Sequence, residues 1–191
     1  MKLESAPRRI RIRRALMDGR GFTLIELMVT VALIAIMTVL AAPSFDSALL
    51  SNRLAGFANS FVASAQLARS EAIKRNRPVH ICRSSDGATC AASGTWQQGW
   101  IVWSDESQPP NGALDAGEPV IQVQQAISAD YHFTSSVGIY DLTFQPIGAG
   151  SDSATLILCR ATPSAGNQER QIKVDVTGRA SVSTTRNGVC S

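Results

Sequence analysis

FTLIELMVTVALIAIMTVLAA, residues Phe22 to Ala42, is the stretch on which the reading of this chain turns. It is 21 residues long and holds one charge, Glu26, and three threonines. About 20 apolar residues in a helix cross a hydrocarbon core of roughly 30 Å. A buried core helix is the simpler alternative. A segment apolar on every face behind a dense basic flank is better read as a membrane anchor. The basic flank stays in the cytoplasm, so everything after Ala42 faces outward. A secretory signal fits less well, because its cleavage site should follow the apolar run with small residues in an A-x-A-like pattern. Leu40-Ala41-Ala42-Pro43 matches that pattern poorly.

Charge is divided along the chain. Residues 1–21 carry seven Lys/Arg against Glu4 and Asp18, a net of +5. The remainder carries eleven basic and thirteen acidic side chains, a net of −2. The pI of about 8.9 therefore reflects the N-terminal flank and is no sign of nucleic-acid binding. With 45% hydrophobic and 17% charged residues, the 191-residue chain is not broadly disordered and has room for one ordinary domain beside the anchor.

Glu26 separates an ordinary anchor from a specialised one. A carboxylate deep in a membrane costs about 2.5–3.5 kcal/mol on insertion scales. Either it snorkels to the headgroups, or a cation compensates it. An amine created by cutting the chain before Phe22 is such a cation. It lies too close along the same helix to be the only purpose of Glu26, whereas a neighbouring subunit's amine could pair with it during stacking.

The heptapeptide Gly21-Phe22-Thr23-Leu24-Ile25-Glu26-Leu27 resembles the cleavage motif of type IV prepilins and type II secretion pseudopilins. The resemblance implies a membrane prepilin peptidase that cuts after Gly21 and methylates Phe22. It also implies that Glu26 neutralises the N-terminus of the next subunit.

Pro43 ends the apolar run. Beyond it Leu50, Leu54, Phe57, Phe61, Ala65 and Ala68 recur at spacings of three and four, one stripe of a helix. Asn52, Asn59 and Gln66 fall on the opposite face. Arg77-Pro78 closes the pattern, so one helix is expected from Phe22 to about Arg75. The cations Arg69, Lys74 and Arg75 suit its C-terminal dipole. After Pro78 short Val/Ile/Thr/aromatic runs alternate with Gly, Ser and Asp. Strands are expected at 79–82, 99–103, 120–124, 131–134, 139–144, 154–159, 172–176 and 180–183. Ile172, Val174 and Val176 alternate with Lys173 and Asp175, as in a half-exposed antiparallel strand, and Thr177-Gly178-Arg179 turns into the next run. The expected class is α+β, a long N-terminal helix packed on an antiparallel β-sheet head. Its boundaries are a leader at 1–21, a transmembrane part at 22–42, an exported amphipathic part at 43–76 and a head at 77–191.

Ala68-Arg69-Ser70-Glu71-Ala72-Ile73 followed by the run Val79-His80-Ile81-Cys82 narrows the resemblance to the GspH/FimT/FimU branch of minor pilins. Gly99-Trp100 and Asp115-Ala116-Gly117-Glu118-Pro119-Val120 also look like that branch. Membership implies a subunit that assembles with other pilins at the inner membrane, its head in the periplasm or at a filament tip, and not an enzyme.

Cys82, Cys90, Cys159 and Cys190 all lie in the exported part and show no C-x-x-C spacing. With His80 and His132 isolated, disulfides are favoured over zinc. Of three possible pairings, Cys82–Cys90 across a local turn and Cys159–Cys190 pinning the tail are preferred. The chain-entropy model assigns them roughly 2.6 and 3.7 kcal/mol. Asp105, Glu106, Asp115 and Glu118 could supply oxygens to calcium, but without the dense D-x-D-x-D-G spacing a solvated loop is the better reading. Nucleophile elbows, phosphate loops and paired catalytic carboxylates are missing from the sequence, and Gly148-Ala149-Gly150 reads as a turn. No cofactor and no metal is expected.

The reading is a minor pilin or pseudopilin that initiates or caps a type IV pilus or a type II secretion pseudopilus. Its rival is DNA capture during uptake. Some FimT-like members do this through a Gly-Arg-x-Arg motif, here Gly178-Arg179-Ala180-Ser181 without the second Arg. Arg170, Lys173, Arg179 and Arg186 are the candidate phosphate contacts. Mass spectrometry of membrane-extracted protein is expected to find a methylated Phe22 at the N-terminus. A bulky replacement at Gly21 should block cutting, and an assembled protein retaining residues 1–21 would contradict the motif.

Overall fold

The computed structural model describes residues 21–136, 138–150, 152–160, 164, 166–185 and 190, with the side chains of residues 40–44 also outside the description. The expected leader, apart from Gly21, and Arg186 thus lie outside the described residues. The chain divides into two compact units, Met1–Ser44 and Phe45–Ser191, each treated separately below.

Helix α1, Leu24–Arg75, contributes to both units. In the first unit Thr23 caps its start: the Thr23 carbonyl accepts from the Leu27 N–H and the hydroxyl from the Glu26 N–H at 3.3 Å. A side-chain oxygen at this position satisfies a donor that the first turn leaves without a partner. Thr30 and Thr38 turn their hydroxyls back to the carbonyls of Leu27 and Ala35, which hides them from an apolar surrounding. Among the described residues no helix is long and apolar enough to cross a membrane. The described side chains of the apolar run stop at Val39, whereas the sequence run continues through Leu40-Ala41-Ala42.

In the second unit α1 buries Leu50, Leu54, Ala58, Phe61, Ala65, Ala68 and Ala72, while Asn52, Asn59 and Gln66 are exposed. Ala58 takes the central place expected for Phe57, which instead packs at the flank edge-on to Tyr131 at 5.2 Å. Four alanines along one stripe let strands approach the helix closely. Asn76 ends the helix in the left-handed region, φ 53°, a conformation asparagine tolerates, and Pro78 prevents continuation.

Among the described residues eight strands follow: β1 Val79–Arg83, β2 Trp100–Ser104, β3 Val120–Gln124, β4 Tyr131–Ser135, β5 Asp141–Phe144, β6 Ala154–Arg160, β7 Glu169–Val174 and β8 Ala180–Thr185. They form two antiparallel four-stranded sheets, ordered β3-β2-β1-β5 and β4-β6-β7-β8. The α+β expectation and all eight strands are present. The β7 expectation is corrected: the strand starts three residues earlier and ends at Val174, leaving Val176 59% exposed. Asp175 causes the early end, because its carboxylate accepts from the N–H groups of Thr177 and Arg179 and so closes the turn. Gly178 in that turn has φ 73°, and a Cβ there would meet the Gly148 carbonyl at 2.7 Å. Gly99, φ 107°, is equally confined, with the Gln124 carbonyl 2.5 Å from any added Cβ.

One core joins the helix and both sheets. Its centre is Phe61, edge-on to Trp96 at 5.2 Å, Trp100 at 5.3 Å and Phe133 at 5.4 Å. The Trp100 indole donates to the buried Ser64 hydroxyl at 3.0 Å, and Ser64 donates in turn to the Ser60 carbonyl. Phe133 receives its backbone partner from Gln97, whose side-chain oxygen accepts at 3.0 Å. On the face of the first sheet away from that core His80 stacks on Trp103 at 4.4 Å, next to Cys82 and Ile101.

Phe61→Ala removes the ring on which three others rest and is expected to cost about 3–5 kcal/mol in urea unfolding followed by tryptophan fluorescence. Asn59→Ala on the exposed face should stay within about 0.5 kcal/mol. Equal effects for the two substitutions would mean that Phe61 does not organise the core.

Candidate functional site

The first candidate site is the start of α1. Phe22 is 82% exposed, and every described side chain from Gly21 to Val39 is solvent-facing. The row includes Leu24, Ile25, Leu27, Met28, Val31, Ile34 and Met37. So continuous an apolar surface marks a segment made to meet lipid or protein. Glu26 is exposed and lies in the first helical turn, where a carboxylate complements the free N–H groups. With Thr23 it forms a T-x-x-E sequence of the capping-box kind. Sequence reasoning missed this role for Thr23, although the spacing to Glu26 announces it.

The second candidate site, the basic strip, does not come together on one face. Arg170 is buried at 8% exposure. It donates to the Gln168 carbonyl at 2.6 Å and to the Ser51 hydroxyl at 2.9 Å, so it fastens β7 to α1. Strand parity places Arg170 and Lys173, three residues apart, on opposite faces, so these two do not share one strip. Lys173 and Arg179 are exposed. Arg179 shares its turn with Asp175. The Thr177 hydroxyl, more than any other contact, holds the Asp175 carboxyl below its usual value; the Arg179 N–H and the Arg179 charge add to the effect. Gly178, the glycine of the Gly-Arg pair, has the steric duty described above.

The other singled-out groups have structural work. Cys82 is bonded to Cys90 and Cys159 to Cys190. Within the first loop Asp86 accepts from the Thr89 hydroxyl, the N–H groups of Ala88 and Thr89, and the Ser84 hydroxyl. These contacts, the Thr89 hydroxyl foremost, hold its carboxyl well below the usual aspartate range. A lowered folded-state value contributes stability above the unfolded value of 3.8, lost as pH falls through the folded one. The acidic loop differs from a freely solvated one. Asp105 is fully buried and accepts from the N–H groups of Ser107 and Gly112, while Glu118 accepts from those of Glu106, Ser107 and Asp115. Among the described residues no group of three or more His, Cys, Asp or Glu is placed to hold a metal. His80 is buried, its Nδ1 2.9 Å from Asp141 and 3.1 Å from the Thr143 hydroxyl. Of the basic cluster at the end of α1, Arg69 donates to the Gly148 carbonyl at 2.7 Å, and Lys74 and Arg75 pair with Glu71.

Comparison with known proteins adds the following. Residues 58–178 match the family model described as type II transport protein GspH, and residues 17–42 match the prokaryotic N-terminal methylation motif. No curated protein matches the chain. Among solved structures it is similar to the type IV minor pilin FimU of Pseudomonas aeruginosa, with a TM-score of 0.52 and 18% identity over 72% of this chain and 100% of that one. A second crystal form of FimU gives 0.51 and 19% over 73% and 96%. The minor pseudopilin EpsH of Vibrio cholerae gives 0.47 and 13% over 69% and 96%. At such identities the likeness to FimU is one of fold.

With Arg170 turned inward and Arg179 beside Asp175, DNA is expected to be held weakly at best. In an anisotropy titration any binding should vanish by about 150 mM salt, where screening is short-ranged and the gain from releasing counterions at a few phosphate contacts is small. Tight binding at that salt, abolished by Arg179→Gln, would restore the tail as a DNA site.

Proposed function

The chain belongs to the GspH family of type II transport proteins, the group of minor pilins and pseudopilins, and from that membership we propose that it initiates or caps a type IV pilus or a type II secretion pseudopilus. The observation that carries the proposal is the N-terminal segment. A methylation motif at residues 17–42 sits on a helix start whose described side chains, Phe22 to Val39, are all exposed.

The mechanism follows from the charges at that end. Cutting after Gly21 frees an amine on Phe22, one turn before Glu26 on the helix. In an apolar surrounding the carboxylate is costly and the amine is costly, and together they are far less so. A subunit whose amine meets the Glu26 of its neighbour therefore gains a charge pair that a lone subunit lacks. Register along the filament is set by that pair and affinity by the apolar flanks. Before assembly the same flanks hold the protein in the inner membrane with the head in the periplasm. Prepilin peptidase and other pilins or pseudopilins are the partners of this scheme, and the chemistry is assembly.

Glu26→Ala should leave membrane insertion intact or improve it, since about 2.5–3.5 kcal/mol of insertion cost disappears. Cross-linking to partner pilins should fall sharply. Undiminished cross-linking of the variant would show that Glu26 only snorkels and caps its own helix.

A further inference from the structure

Arg83, the last residue of β1, is 2% exposed, yet it lines an open cavity of about 210 Å³. Its guanidinium donates to the carbonyls of Gly94 and Ala91 and lies 3.8 Å from the centroid of the Tyr140 ring. Its Nε–H is buried without a partner. Among the described residues no carboxylate is in ion-pair contact with it, and no acidic side chain lines the cavity. Burial pulls its value below the usual arginine range, but a guanidinium does not surrender its proton in a protein. It therefore sits as a dry positive charge whose neighbours offer only dipoles and a π-face.

The rest of the cavity wall is mostly apolar, and three hydroxyl-bearing residues, Thr95, Thr134 and Ser135, stand along it. The hydroxyls of Thr95 and Thr134 have no hydrogen-bond partner among the described residues, and Ser135, which accepts from the Ile139 N–H, keeps its own proton to donate. The frame is stiff, since the Trp96 indole donates to the Ile139 carbonyl at 3.2 Å and the Arg83 N–H to the Tyr140 carbonyl at 3.3 Å. A site of this size takes a side chain more readily than a drug-sized molecule. Planar carboxylate is the anion that a guanidinium and flanking hydroxyls match best.

We propose that the Arg83 cavity is a docking pocket for an acidic side chain, Asp or Glu, presented by a neighbouring pilin subunit. The pocket rests on geometry alone. The identity of the donor as a pilin rests on the assembly reading above. Such a contact would choose among partners, because a subunit without the carboxylate leaves the buried cation uncompensated.

The test takes the full chain in detergent micelles, labelled with nitrogen-15, and two probes that differ in one group: a blocked Gly-Asp-Gly peptide and its Gly-Asn-Gly counterpart. The Asp peptide is expected to shift the Arg83 Nε–H signal and the amide signals of Thr134 and Gly138 along a saturating curve, and the Asn peptide is not. Thr134→Val, which leaves Arg83 in place, should weaken the Asp peptide about fivefold, the size of one lost hydrogen bond. Equal saturation by both peptides, or no change in Thr134→Val, overturns the pocket. Inorganic phosphate is the third probe. Saturation by phosphate where the Asp peptide gives none makes this a phosphate site and overturns the carboxylate. For the donor, a benzophenone-bearing phenylalanine replaces Ala92, exposed between Ala91 and Gly94 and outside the cavity wall, in cells and, separately, Leu33. Position 92 is expected to cross-link to an acidic segment of another pilin. Cross-links from position 33 without any from 92 leave assembly standing and overturn the partner contact. No pilin cross-links from either position overturn the assembly reading and the donor with it, while the peptide titration still decides the pocket.

Discussion

Phe61 is the residue through which the head is held together. It is the point where α1, the first sheet and the second sheet meet, each contributing at least one ring or a helical turn to the contact. Aromatic edges on a ring face add attraction beyond the area they bury, and three such contacts on one ring fix its rotamer. Ser64, one turn further on, binds the Trp100 indole and so gives the helix a register against β2 as well as a depth. The two sheets then need no hydrogen bonds between them to share one core.

Around that centre, polar groups close the loops rather than line a catalytic cleft. Asp86, Asp105, Glu118 and Asp175 each accept from backbone N–H groups of their own turns. Arg69, Arg77, Arg83 and Arg170 each donate to a carbonyl of another segment, Arg170 to that of Ser51. Charged side chains used in this way satisfy buried or half-buried backbone that loops cannot satisfy by themselves. Long-range attraction of a polyanion follows the summed charge instead, and residues 22–191 carry a net of −2.

The sequence made the framework legible because both periodicities were strong. The stripe from Leu50 to Ala68 and the β-branched runs between turn residues point to helix and strands without ambiguity. What it hid depended on neighbours. Nothing local says that Asp175 would leave the ladder to close a turn, which moved the end of β7 to Val174. The tail looked like one basic strip because Arg170 and Lys173 are close in sequence, and pleat parity separates them. The loop 105–118 looked solvated because its acids are dense, but dense acids among N–H groups can fold a loop inward. Arg83 gave no signal, since arginine is seldom buried and its burial follows from Tyr140 and Gly94, distant in sequence.

The two units divide the problem of assembly by the kind of surface they present. Exposed side chains of the first unit are apolar almost throughout, and apolar contact is non-directional. Such a surface gives adhesion to lipid or to any similar helix, but it offers few groups with which to reject a wrong neighbour. Discrimination requires groups that are penalised when unmatched, which means buried charge and hydrogen-bond donors awaiting a partner. In the described residues those features belong to the second unit, at the Arg83 cavity above all. On the proposed assembly, selectivity therefore resides in the head, with the helix left generic.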